Sequence, residues 1–343
     1  MGALAILALA GCGPIDAGGE KPSPTKPVKL RDQFASDRDP KPTDTGKPKV
    51  QAIPFDGSRA QKYVAALCDL GPRVSGSDGM AKQVALLTKH FEKYGGTVAK
   101  QEFQAQQKSQ RDKVGMTNLV VSYFPDRPKR ILFTCHYDTR PQADQEELRK
   151  NWNKPFVSAN DGTSGVGFLM ELAHHMKDFP TEVGVDFAMF DGEEYVFAGP
   201  DGNDLFFFGS KHFAAEYKDS IKTRKHTYSA AINLDLFAHE GAKIKVESFG
   251  LNGAKELVTE VWGIAEEVGA KSFKYERGYK RSAEGFVQDD HVPLLEVGIP
   301  AIDLIDFDYE HWHKLTDTAD KIDAKQLEQV ALVLTTWLQW QKK

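Results

Sequence analysis

Apolar positions recur at helical spacing over residues 56–70, where the pattern stops at Gly71-Pro72, and again over 79–94, closing at Gly95-Gly96. Strand-like stretches follow at 97–104, 118–123 and 130–135. A helical period covers 162–176, and an apolar run over 183–190 contains the strand 185–190. Beyond it the pattern predicts a helix at 207–217, strands at 230–234 and 243–249, a helix at 253–268, a strand at 299–305 and a closing amphipathic helix at 324–340. Strands alternating with helices predict an α/β fold, an open, mostly parallel twisted sheet with helices on both faces. In such sheets ligands bind beyond the carboxyl ends of the strands, so the residues just past each strand are where chemistry is to be sought.

Composition narrows the reading. The chain has 343 residues, 41% of them hydrophobic, which is ample for a core, and a net charge of −5 gives no sign of nucleic-acid binding. No apolar stretch approaches the roughly eighteen residues of a membrane span. Residues 1–12 end in Leu9-Ala10-Gly11-Cys12 after a short apolar run, which resembles a bacterial lipoprotein signal without its usual positive start. The expectation is an exported protein lipid-anchored through Cys12 in the bacterial envelope, its only tie to a membrane. Residues 13–50 are rich in Pro, Lys, Asp, Thr and Gly, a composition that cannot bury enough surface to order itself and predicts a disordered linker. Residues 51–343 show no repeat and no compositional break and are expected to form a single catalytic domain, acting as a monomer. Of the three cysteines, Cys68 and Cys135 fall in apolar patterns and are expected to be inert buried thiols.

Ligand-type side chains gather at the predicted element ends. His136 follows one strand, Asp161 precedes a helix, Glu193-Glu194 follow Phe190, and Asp235 follows Leu234. Asp289 precedes a short helix, and Trp312-His313 come after the last strand. Singly, each has an ordinary explanation: Asp161 or Asp289 as a helix cap, His136 as a core histidine, the glutamates as an acidic first turn. Their joint placement at one kind of position argues for a site, and His with Asp and Glu suits Zn²⁺ in an open, catalytic arrangement.

The order of motifs carries a resemblance. CHYD (135–138), ANDGTSG (159–165), FDGEE (190–194), GSKHF (209–213), NLD (233–235), DDHVP (289–293) and GIPA (298–301), with GPRVSGS (71–77) ahead of them, resemble the zinc exopeptidase superfamily over about residues 56–340. That superfamily includes dizinc aminopeptidases and glutaminyl cyclases. The long segment 195–208 after the paired glutamates, the run Gln288-Asp289-Asp290-His291 and the Trp312-His313 pair are similar to the cyclases. Asp317-Thr318-Ala319-Asp320 reads equally well as an aminopeptidase ending. Asp303 stands where animal cyclases have histidine, and the inserted segment, with Gly199 and Gly202, lacks their tryptophan.

The resemblance implies a glutaminyl-peptide cyclotransferase acting on peptide or protein N-termini. One Zn²⁺ would be held by Asp161, Glu194 and His313, and Glu193 would shuttle protons. Asp235 and Asp289 would stand beside Glu193 in a hydrogen-bonded carboxylate network, and Trp312 and Gln288 would contact substrate. The rival within the superfamily is a dizinc aminopeptidase, with Asp161 bridging and His136 and Asp235 completing a second site. A non-enzymatic receptor-like domain would be expected to lack ligands or base, and this sequence keeps them.

Overall fold

The computed structural model describes residues 50–197 and 203–343. The signal 1–12 with Cys12, all but the last residue of the linker 13–50, and Gly199 and Gly202 lie outside the described residues.

The sheet is built around the segments that are apolar without interruption. Strands β3 (Lys129–His136) and β4 (Gly184–Phe190) are buried along almost their whole length, as expected of central strands covered on both faces. β5 (Thr227–Leu234) and β8 (Ala301–Leu304) extend the parallel set on one side, while β1 (Thr97–Ala105) and β2 (Val114–Tyr123) add an antiparallel pair on the other. The six-stranded order is β1-β2-β4-β3-β5-β8, with β2 antiparallel to β4 and the β4-β3-β5-β8 block parallel. The sheet is therefore mixed, its parallel half carrying the expected architecture.

Alternation along each strand sorts side chains to two cores. Ile131, Phe133, Val185, Phe187 and Ile232 face one apolar cluster. Helices α1 (Gly57–Cys68), α2 (Asp78–Lys93), α3 (Thr163–Met176), α6 (Lys255–Glu267) and α8 (Ala324–Trp340) cover it through Val64, Phe91, Phe168, Val261 and Trp337. Leu132, Ala188, Phe190 and Ala231 face the other, closed by Phe213 and Tyr217 of α4 (Phe208–Asp219) and Leu294 of α7 (His291–Glu296). Asp56 and Ser77 start α1 and α2 by accepting from the backbone of Arg59 and Met80.

The strand expected at 243–249 is a correction. Only β6 (Ile244–Lys245) pairs, with β7 (Phe273–Lys274), in a separate two-stranded sheet. Glu247 then turns its carboxylate onto the N–H groups of Phe249 and Gly250 and starts helix α5 (Ser248–Gly253). A glutamate performing the capping that Ser or Asp usually supplies hid the boundary. Cys68 and Cys135 are both buried and unbridged, and burial pushes the Cys68 thiol up to about 11, so the two are inert as expected.

One ion pair is buried in the sheet. Arg130 donates through Nε to Asp186 Oδ2 at 2.8 Å, Tyr228 donates to the same oxygen at 2.7 Å, and other Arg130 N–H groups reach the carbonyls of Tyr123 and Val185. Removing one partner strands the other charge, so Asp186→Ala is expected to lose about 3–5 kcal/mol in urea unfolding.

Candidate active site

The parallel strands deliver their carboxyl ends to one edge of the sheet, and the predicted residues arrive together there. β3 ends at His136. After β4 the chain reverses at Gly192, whose φ of +72° lies in the left-handed region that favours glycine. Asp191 anchors that turn by accepting from Ser75 Oγ at 2.6 Å and Thr117 N at 2.9 Å. Asp138 then takes the N–H groups of Glu193 and Glu194 at 3.1 and 3.3 Å. These bonds hold the two glutamates on consecutive positions of a fixed backbone.

Asp161 stands ahead of α3, but its side chain does not cap the helix, whose N-cap is Gly162 without any side-chain cap bond. Gly162 (φ +74°) packs under the His136 ring, where a Cβ would sit 2.5 Å from Cε1. Its N–H donates to Asp235 Oδ1 at 3.1 Å. His313 occupies the left-handed region (φ +54°), an uncommon conformation for a residue other than glycine and a mark of functional constraint.

The side chains converge. Asp161 Oδ1 lies 3.0 Å from His136 Nε2, and Asp161 Oδ2 lies 3.6 Å from His313 Nε2. Glu194 Oε2 lies 3.2 Å from His313 Nε2, and Asp235 Oδ1 lies 3.5 Å from His136 Nε2. Asp161, Glu194 and His313 each offer a ligand atom within 4.8 Å of the others, as do His136, Asp161 and Asp235, and His136, Glu193 and Glu194. Asp161 Oδ2 is buried without a hydrogen-bond partner. A concentration of buried carboxylates around two histidines, with a lone carboxylate oxygen among them, fits a divalent cation, because unpaired buried charge is costly.

A second layer holds these residues in place. His313 Nδ1 is 2.8 Å from Asp144 Oδ1, and Arg140 donates to Asp144 Oδ2 at 2.7 Å while its backbone N–H donates to Glu194 Oε1 at 2.9 Å. Asp317 accepts from the N–H groups of Asn160 and Asp161 and from the Tyr309 hydroxyl, fixing the Asp161 turn. Asp144, Arg140 and Asp317 carry no sequence signal that marks them as site residues. Asp317 lies in the Asp-Thr-Ala-Asp run already singled out, whereas Asp144 and Arg140 sit in an irregular loop where no periodicity points inward.

Electrostatics separates the roles. Burial disfavours ionisation of Asp161, yet the His136 contact and the His313 and Arg140 charges hold its carboxyl below the usual range. Burial also opposes Asp144, but His313 and Arg140 bring it down to about 2. Burial pushes Glu194 up, helped by Asp161 and opposed by His313. Glu193 is driven well above its ordinary range, first by burial and then, against His136, by Glu194, Asp289 and Asp290. Burial and Asp161 push Asp235 up to about 7.

The expected carboxylate network takes a different form. Asp235 is engaged with Gly162 N and His136, and Asp289 accepts from Asp290 N at 2.5 Å. Asp290, at the start of α7, does not cap it but accepts from Ser210 Oγ. Asp289 acts on Glu193 through charge, with no side-chain hydrogen bond between Glu193 and Asp235 or Asp289 among the described residues. Asp303 extends the acidic group: burial, with Asp289, Asp235 and Glu247 nearby, drives its carboxyl well above the usual range. Carboxyls packed this closely cannot all ionise, so part of the group carries protons near neutral pH.

Part of this group opens into a cavity of about 390 Å³, while His136, Asp144, Asp303 and Asp317 stand behind its lining. Glu193, Glu194, Asp161, Asp235, Asp289 and His313 line its floor, and Trp312, Gln288, Phe206, Phe207 and Phe307 line its walls. Trp312 lies over the His313 ring with centroids 3.9 Å apart.

The peptidase family M28 profile matches residues 118–338. The glutaminyl cyclase of Fimbriiglobus ruber shares 52% identity and a TM-score of 0.84, over 88% of this chain and all of that one. A structure described as a leucine aminopeptidase precursor from Bacteroides thetaiotaomicron shares 28% identity and a TM-score of 0.78, over 86% of this chain and all of that one. The glutaminyl-peptide cyclotransferase of Bos taurus is 24% identical over 248 residues, and this chain spans about 65% of that protein's length, the match covering 65% of this chain. Fold and sequence agree: the chain belongs to peptidase family M28, in which it stands with the glutaminyl cyclases.

Proposed function

We propose that the protein is a zinc-dependent glutaminyl-peptide cyclotransferase, an acyltransferase that converts the N-terminal glutamine of peptides to pyroglutamate with release of ammonia. The observation that carries this reading is the trio Asp161–Glu194–His313, with Glu193 beside it on the floor of the same cavity. The 52% identity to a glutaminyl cyclase supports cyclisation over hydrolysis. Asp161, Glu194 and His313 would hold one Zn²⁺, a donor set suited to that ion. Bound there, zinc would supply Lewis acidity toward the substrate's side-chain carbonyl.

The chain's own residues do the rest. Cyclisation forms a bond from the α-nitrogen to the side-chain carbonyl carbon and breaks that carbon's bond to its amide nitrogen. Glu193 takes a proton from the attacking nitrogen and hands one to the departing nitrogen, a double task that suits a carboxyl that burial raises well above its ordinary range. The half-buried Trp312 shields the glutamine side chain from water, and Gln288, which also lines the cavity, offers polar contacts to its backbone.

A second reading rests on the trio His136–Asp161–Asp235, which would complete a dizinc aminopeptidase. Mass spectrometry of Gln-Xaa and Leu-Xaa peptides with one preparation, alongside a metal count, separates the two. Ammonia loss from Gln-Xaa with about one zinc per chain is expected. Free leucine, intact Gln-Xaa and two zincs would overturn the proposal. Because Asp144 orients His313, Asp144→Asn is expected to weaken zinc binding by about 10–100-fold in competition with a chelator.

A further inference from the structure

The cavity mouth carries a cation that the reaction at its floor does not use. Three groups form a graded stack: His313 buried, the half-buried Trp312 ring 3.9 Å from it, and the exposed Arg281 guanidinium 4.8 Å over Trp312. Arg281 also lies 5.9 Å over Phe307, and its Nη1 and Nη2 donate to the carbonyls of Phe307 and Tyr309 at 2.6 and 3.2 Å. Two rings and two carbonyls therefore fix the guanidinium in one place, and ordering it on binding costs little.

No carboxylate among the described residues pairs with it. The two that most influence it, Asp308 and Asp306, are already engaged. Asp308 holds Lys245 Nζ at 3.1 Å and the Lys280 N–H, while Asp306 takes the Lys243 N–H and faces His239 at 3.2 Å. Arg140, the other arginine at the cavity, is tied to Asp144 and Glu194. Arg281 is thus a positioned cation at the rim, one aromatic layer outward from the ligand trio.

We propose that Arg281 is a specificity residue that receives a carboxylate from the second residue of the peptide, so that substrates beginning Gln-Glu or Gln-Asp are preferred over Gln-Lys. This rests on the cyclase reading, which sets the N-terminal glutamine on the floor at Glu193 and leaves the next residue at the mouth. The exposed Phe286 and the Phe307 ring beside Arg281 would take the methylene part of that side chain.

The test compares kcat/KM for C-terminally amidated Gln-Glu-Ala and Gln-Lys-Ala with wild type, Arg281→Gln and Arg281→Lys. One charge-assisted contact at a half-open site is expected to favour the glutamate peptide by about tenfold. Arg281→Gln should bring the ratio close to unity, and Arg281→Lys should retain part of it. In wild type, raising the salt should narrow the ratio, because a rim contact is screened, a readout that loss of packing against Trp312 would not produce. Equal kcat/KM for the two peptides in wild type, or a ratio unchanged in Arg281→Gln, overturns the inference while cyclisation itself stands. Failure to cyclise either peptide overturns the cyclase reading and this inference with it.

Discussion

Glu193→Gln is expected to bind zinc as wild type does and to lose about 10²–10⁴-fold in kcat with KM little changed. The substitution keeps volume and one carbonyl oxygen and removes only the capacity to carry a proton. Glu193 has its backbone N–H on Asp138 and lines the cavity floor, while the Glu194 carboxylate lies 3.2 Å from His313. Neighbouring glutamates therefore meet different partners, and loss of the carboxylate at Glu193 leaves the Asp161–Glu194–His313 trio intact. Metal analysis of the purified variant beside steady-state kinetics on a Gln-peptide decides the matter. Lost zinc in Glu193→Gln would mean that the roles of the two glutamates are exchanged. Unchanged turnover would mean that another group moves the proton.

What made this pair legible was the unbroken apolar run of β4. It announced a buried strand, and the carboxylates just beyond it could not be explained by the core. His136 and Asp235 were readable by the same logic at the ends of β3 and β5. His313 was readable less directly, because eight residues of irregular chain separate it from the end of β8, so that its place after the last strand and its motif context together marked it. The residues that set geometry were the hardest to see. Asp144 and Arg140 work from a loop, where neither a period of two nor one of 3.6 reports which way a side chain points. Glu247 misled for a different reason: its backbone is extended like a strand's while its side chain caps the helix that follows. Local hydrophobicity carries burial, and it carries nothing about which polar atom a carboxylate will find.

The mixed sheet also explains why the site is at once acidic and ordered. Parallel pairing of β4, β3, β5 and β8 brings several chain reversals to one edge, and each reversal contributes a carboxylate or an imidazole. Repulsion among those groups is offset by dedicated donors: backbone N–H groups on Asp138 and Asp317, a hydroxyl on Asp290, and Arg140 on Asp144. A divalent ion would complete that compensation at the one carboxylate oxygen of the trio left without a partner, Asp161 Oδ2.

His313→Ala should therefore fail in a different way from Glu193→Gln. It removes one member of the Asp161–Glu194–His313 trio and leaves two buried carboxylates facing each other, so zinc affinity should collapse. With the Lewis acid gone, kcat/KM should fall by about 10³-fold or more, since that contribution is worth several kcal/mol. The thermal stabilisation that added zinc gives wild type should shrink along with it, because a ligand stabilises only the state that binds it. His136→Ala is the informative companion. His136 touches the opposite oxygen of Asp161 and belongs to the two other trios, His136–Asp161–Asp235 and His136–Glu193–Glu194. If one ion serves the site, His136→Ala keeps about one zinc per chain and His313→Ala keeps none. If the site holds two, each variant loses one ion and retains the other. Zinc counts on the two variants, set beside the wild-type count, then decide between one metal and two without any assay of turnover.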